Sequence, residues 1–195
     1  MTMIPPRPSA VDHRASRPTA GWVGRRVLLR GIDPADRRTL IGFDRESARE
    51  GPPQFDGYRH WAAHRADHLD PGEDLHLAIE TRHDRTLVGS LSTSQPEPGT
   101  FSYGIGIGPQ HRRRGYADDA ISTLLGYMFG HRRFTKCEVG IYGCNTASLA
   151  LHARLGFREE GRLRDPEFLC GGAQYLVLMG ITDEEFATRH LPRAR

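Results

Sequence analysis

Apolar residues recur along this chain with two different periods, and the switches between them mark out the elements. Val27-Leu28-Leu29 is a short apolar strand, and Asp33-Pro34 supplies an N-cap and a first-turn proline for a helix running to about Phe43. Gly51-Pro52-Pro53 breaks the chain. A second helix spans about Tyr58 to Leu69 and ends at Asp70-Pro71-Gly72. Leu75 to Glu80 and Leu87 to Ser94 alternate apolar and polar residues around His83-Asp84-Arg85, the pattern of a β-hairpin. Phe101 to Ile107 is the next strand. Between Asp118 and Phe129, the residues Ala120, Ile121, Leu124, Leu125 and Met128 fall at helical spacing. Val139-Gly140-Ile141 predicts a buried strand, Thr146 to Leu155 another core helix, and Tyr175 to Met179 a final strand. The chain shows no internal repeat and no second domain, so residues 21–195 are read as one α/β (α+β) domain.

The segment Ile105-Gly106-Ile107-Gly108-Pro109-Gln110-His111-Arg112-Arg113-Arg114-Gly115-Tyr116-Ala117 runs from an apolar strand through a basic, glycine-containing turn into a helix start. A helix N-terminus offers unpaired N–H groups and a partial positive charge, so this order builds an anion site. Gly115 and Ala117 permit close approach, and Arg112, Arg113 and Arg114 add charge. A triple arginine alone is equally the signature of a solvated surface run. Further along, Asn145-Thr146-Ala147-Ser148 is followed by Leu155-Gly156-Phe157, Glu160-Gly161 and Leu163.

Arg112-x-x-Gly115-x-Ala117 after an Ile-x-Ile-x-Pro strand resembles the coenzyme A loop of the GCN5-related N-acetyltransferases, whose pattern is Gln/Arg-x-x-Gly-x-Gly/Ala. The second block is similar to the ribosomal-protein N-terminal (RimJ/RimL-type) branch, with Glu167-Phe168 as the later Glu-Phe, and the resemblance spans about Gly21 to Phe186. It implies a mixed central sheet of six to seven strands flanked by about four helices. It also implies acetyl-CoA as co-substrate, held by Ile105, Ile107, Arg112, Arg113, Arg114, Gly115, Tyr116, Ala117 and Asn145, with no metal. In the family the strand matching Phe101 to Ile107 splays from the one matching Val139 to Ile141, and the pantetheine arm lies in the gap.

Acyl transfer needs a group that takes the amine proton and one that meets the departing thiolate. Ser148 lies one helical turn after Asn145 and is the first candidate for the thiolate. His152 stands where many members carry a tyrosine proton donor, so the acid role is open between Ser148 and His152; the plainer reading of His152 is helix packing. Asn145 serves equally as a helix N-cap. The resemblance makes Glu167 the base, with an exposed loop acid as the alternative and Glu138 in reserve. His60, His64 and His68 share a helix face at the spacing of a zinc pair, but no ligand is placed to complete a site, and a polar face or part of the acceptor pocket is the simpler account.

Composition narrows the classes further. The net charge of +3 at 195 residues does not demand nucleic acid, and no aromatics beyond Tyr116 interleave with the arginines. No stretch is apolar for long enough to span a membrane. Residues 1–20, with Pro5, Pro6, Pro8 and Pro18 beside Arg7, Arg14 and Arg17, read as a disordered leader without the apolar core of a signal peptide. Cys137, Cys144 and Cys170 form no paired motif, which points to a reducing, cytoplasmic setting. Tyr175 to Met179 is apolar enough for either a core strand or a homodimer interface. The acceptor amine stays open between protein N-termini and small molecules, the donor between acetyl-CoA and larger species such as succinyl-CoA. A CoA-binding module without turnover is the alternative class.

Overall fold

A computed structural model describes residues 21–50, 74–164 and 175–190. Its strands are β1 (Trp22–Val23), β2 (Val27–Gly31), β3 (His76–Thr81), β4 (Leu87–Glu97), β5 (Thr100–Ile107), β6 (Lys136–Tyr142), β7 (Arg158–Arg164) and β8 (Tyr175–Thr182). They form one sheet in the order β1-β2-β3-β4-β5-β6-β8-β7. The helices are α1 (Arg37–Glu50), α2 (Tyr116–Gly130), α3 (Thr146–Leu155) and α4 (Asp183–His190).

The sheet has eight strands, more than the six to seven expected. The additions are edge strands: β1 is two residues long, and β7 is charged and almost wholly exposed, so neither carries the alternation that marks a half-buried strand. β8 lies between β6 and β7 with both backbone edges paired, and it serves as a core strand.

α2 lays Ala120, Ile121, Leu124, Leu125 and Met128 onto the sheet, all of them buried as their spacing predicts. Phe101 is fully buried and meets Phe129 and Phe134 at centroid distances of 5.7 Å and 5.2 Å. Burying a side chain of that size stabilises the fold by roughly 1.5–3 kcal/mol. The turn before α1 is a capping box, with Asp33 accepting from Ala35 N–H and Asp36 accepting from Asp33 N–H. Arg30 on β2 then grips Asp36 at 2.7 Å and 3.0 Å and Glu80 of β3 at 2.7 Å, which fixes the start of α1 to the sheet. The same guanidinium holds the Asp36 carboxyl below the usual carboxylate range. The helix expected to end near Phe43 continues to Glu50.

One expectation changes with the structure, and others fall on residues that it does not describe. Cys144 is disulfide-bonded, whereas Cys137 is a free buried thiol, so the argument for a reducing setting from unpaired thiols does not hold. Glu167, Phe168, Cys170 and the histidine row His60, His64 and His68 lie outside the described residues. Among the described residues, no helix is long and apolar enough to cross a membrane.

Asp119, in the first turn of α2, is 8% exposed and accepts from the backbone N–H groups of Arg25 (3.0 Å), Arg26 (2.6 Å) and Val27 (2.9 Å). One carboxylate thus ties the β1–β2 turn to the helix that opens behind the arginine loop. Asp119→Ala is expected to lower unfolding stability by about 3 kcal/mol, since it strands three partly buried N–H donors. Urea denaturation checks this, and a loss below about 1 kcal/mol contradicts it.

Candidate active site

The site begins where the sheet stops being continuous. β5 and β6 run parallel but pair only through Thr100 with Lys136 and Phe101 with Cys137. Beyond that point they part, and a cleft of about 630 Å³ opens between them. Tyr103 to Gly106 line one wall, Val139 to Tyr142 the other, and Asn145, Ser148 and His152 of α3 close the inner end. Ile32, Asp44 of α1 and His76 of β3 lie on the remaining side.

The β4–β5 register decides which backbone groups face this gap. Ser90 opposes Gly106 and Ser92 opposes Gly104, and the Gly108 N–H reaches Val88 O at 2.9 Å, so the even-numbered residues of β5 form the hydrogen-bonded pairs with β4. The backbone groups of Tyr103, Ile105 and Ile107 therefore turn to the other edge, into the cleft. Ile107 O accepts from Arg112 Nε at 3.2 Å there, while the side chains of Ile105 and Ile107 pack against the core.

The arginine loop leads from this strand into α2. Gly115 is the N-cap residue, left-handed at φ 79°, with no side chain capping the helix, and Arg113 is also left-handed at φ 62°. Such turns direct successive N–H groups to one side, and the first N–H groups of α2 have no partner within the helix. The geometry fits an anionic ligand at Gly115, Tyr116 and Ala117. The three arginines differ in what they do. Arg112 binds Ile107 O and reaches Ser47 Oγ of α1 at 2.7 Å, so its side chain ties the loop to α1 instead of standing free beside an anion. All three arginines are exposed. Arg26 was not singled out by the sequence; its Nη1 reaches Arg114 O at 3.4 Å, and its side chain flanks Gly115.

At the inner end, Asn145 caps α3 by accepting from Ser148 N–H at 3.1 Å, and it also borders the cleft. His152 is 3% exposed, with Nε2 2.8 Å from the Tyr103 hydroxyl and Nδ1 2.8 Å from Ser148 O. Burial pushes its pKa below the ordinary 6.5, opposed by the bond to the Ser148 carbonyl. Tyr103 is buried beside it, which pushes the phenol pKa up. Glu138, the reserve base, is not among the cleft residues; Lys136 lies 3.4 Å from it and 2.7 Å from Glu160. Tyr103 had no motif to mark it, because its partner lies 49 positions away.

A protein-family profile described as "Acetyltransferase (GNAT) domain" matches residues 26–158. The chain belongs to this acetyltransferase family. It is an acyltransferase, and its relatives carry N-acetyltransferase names. It is 30% identical over 176 residues to the SPbeta prophage-derived uncharacterized N-acetyltransferase YokL of Bacillus subtilis (strain 168), covering 87% of this chain and 97% of that one. It is 24% identical to the probable N-acetyltransferase YjcK of the same organism, covering 83% and 98%. Among solved structures, the spermidine/spermine N-acetyltransferase SpeG of Vibrio cholerae superposes with a TM-score of 0.62 at 19% identity, covering 85% of this chain and 97% of that one. A putative ribosomal-protein-serine acetyltransferase of Vibrio cholerae superposes at 0.63 and 22%, covering 85% and 98%. At these identities the superpositions show the shared GNAT fold.

Because the folded chain resists protonating His152, the unfolded chain binds more protons as pH falls below about 6.5, and folding stability declines from there until the lower folded pKa is passed. His152→Gln removes that contribution. The stability gap between wild type and variant is expected to narrow as urea unfolding is repeated from about pH 7.5 down to about 5. A gap that stays constant contradicts a buried neutral imidazole.

Proposed function

We propose that this protein transfers an acetyl group from acetyl-CoA to a primary amine, a protein N-terminus or a small molecule, within one ternary complex. The observation that carries the reading is the β5–β6 gap, lined by Tyr103 to Gly106 and by Asn145 and Ser148, with the uncapped start of α2 following β5 along the chain. Backbone groups of Ile105 and Ile107 are placed to hold the extended pantetheine arm as a strand would, while the N–H groups from Gly115 to Ala117 take the pyrophosphate. An inward N–H of β5 polarises the thioester carbonyl. The amine nitrogen attacks that carbon, the carbon–sulfur bond breaks, and the sulfur leaves as a thiolate toward the Ser148 hydroxyl. The amine proton goes to a base, for which the sequence offers Glu167, and an amide and free CoA result.

The motif block from Asn145 to Leu163 supports the ribosomal-protein branch, and the solved ribosomal-protein-serine acetyltransferase neighbour agrees with it. The SpeG neighbours point instead to a small polyamine. Asp44 sets a carboxylate beside the cleft, which suits either acceptor in its cationic form. A screen of spermidine and of peptides beginning with Ser or Ala, each with acetyl-CoA and succinyl-CoA, followed by free thiol release, tests the reading. Turnover with acetyl-CoA and at least one amine is expected. CoA binding without turnover on any amine leaves a CoA-binding module and overturns it.

Gly115→Val is expected to abolish acetyl-CoA binding in calorimetric titration. A branched side chain is strained at φ 79° and crowds the N–H groups meant for phosphate. Arg114→Ala costs about 1 kcal/mol of binding, because an exposed charge is screened. Unchanged affinity in a folded Gly115→Val protein contradicts the phosphate assignment. Glu167→Gln is expected to lower turnover by roughly two to four orders of magnitude at neutral pH, with a defect that shrinks as rising pH deprotonates the amine in solution. Wild-type turnover across the pH range sends the base role elsewhere.

A further inference from the structure

Tyr103, Ser148 and His152 meet at the inner end of the cleft, and chemistry assigns the donor in each contact. A carbonyl oxygen only accepts, so the 2.8 Å contact between Ser148 O and His152 Nδ1 places the imidazole proton on Nδ1. Nε2 of the neutral ring is then bare, and the Tyr103 hydroxyl 2.8 Å away must donate to it. Ser148 Oγ lies 3.3 Å from the same Nδ1, whose N–H can meet an oxygen lone pair but cannot accept the hydroxyl hydrogen. Tyr103 has given its proton direction to His152, and His152 has turned its own toward the helix. Of the three side chains, Ser148 alone keeps a hydrogen for the cleft.

The ring is fixed from both sides. Tyr103 stacks on it at 5.9 Å and 20°, and Phe157 meets it edge-on at 5.1 Å and 78°. Neither nitrogen presents a proton to the cleft, which removes His152 from the acid role.

We propose that His152, braced by Tyr103, is a positioning residue for Ser148: its Nδ1–H occupies the Ser148 carbonyl and a lone pair of the hydroxyl oxygen, so that the Ser148 O–H points into the cleft and donates to the CoA sulfur. This rests on the reading that Ser148 faces the thiolate, and it predicts an arrangement measurable without any acceptor amine.

The test has two parts. A nitrogen-15 spectrum of the free protein near neutral pH is expected to show His152 protonated at Nδ1 and bare at Nε2. The second part follows ionisation of the bound CoA thiol by thiolate absorbance. Ser148→Ala is expected to move it to higher pH by about one pH unit, the worth of one hydrogen bond to a charged acceptor. His152→Phe moves it in the same direction by less, and adds nothing in a Ser148→Ala background, because its effect passes through Ser148. Tyr103→Phe, which keeps the ring volume, follows the same pattern and serves if His152→Phe fails to fold.

A proton on Nε2 overturns the proposal. So does an equal shift from His152→Phe in both backgrounds, which would mean that the imidazole acts on sulfur directly. If Ser148→Ala leaves the thiol unchanged while the proton sits on Nδ1, the assignment of Ser148 falls and the role of His152 falls with it. Absence of CoA binding to the wild type breaks the acetyl-CoA reading itself.

Discussion

The parting of β5 from β6 after two paired residues is the constraint on which the functional geometry depends. Each strand is secured along its outer edge, β5 by β4 and β6 by β8, so the two halves of the sheet stand without the seam between them. Along the inner edge of β5, the backbone groups of Ile105 and Ile107 face the cleft instead of a neighbouring strand, and Ile107 O accepts from Arg112 there. Such an edge has the pairing geometry that an extended ligand with amide groups would need.

Several long-range contacts hold the loop and helix in register with this seam. Asp119 gathers three N–H groups of the β1–β2 turn onto α2, and Arg112 ties the end of β5 to α1 through Ser47. Arg30 anchors the start of α1 through Asp36 and Glu80. The basic loop is thus less uniform than its three consecutive arginines suggest, since all three are exposed but the first also hydrogen-bonds Ile107 O and Ser47. In the proposed reading, anion binding would fall mainly to backbone at the start of α2, where side-chain freedom does not have to be given up.

Local pattern made much of this legible. The apolar stripe of α2 was readable from its spacing, the bounds of α3 from Asn145 and Gly156, and the order strand, turn, helix from the segment Ile105 to Ala117. Charged or very short edge strands were not, because β7 at the sheet margin buries no face and β1 has two residues. The Tyr103–His152 contact also escaped, for it joins a strand to a helix across 49 positions and Tyr103 belongs to no local motif. What looked like a choice between Ser148 and His152 as acid became a question of proton placement, which only neighbouring carbonyls and hydroxyls can answer. The pairing of Cys144 was hidden for a related reason, since spacing alone does not report spatial proximity.

Amide hydrogen exchange with and without CoA tests the central claim most directly. The backbone N–H groups of Ile105 and Ile107 sit in mid-sheet yet face the gap, so they are expected to exchange faster than their neighbours Gly104 and Gly106 in the free protein. On CoA binding they should slow together with the N–H groups from Gly115 to Ala117. Protection that leaves Ile105 and Ile107 unchanged while CoA is bound would contradict the account, because the ligand would then lie outside the seam between β5 and β6.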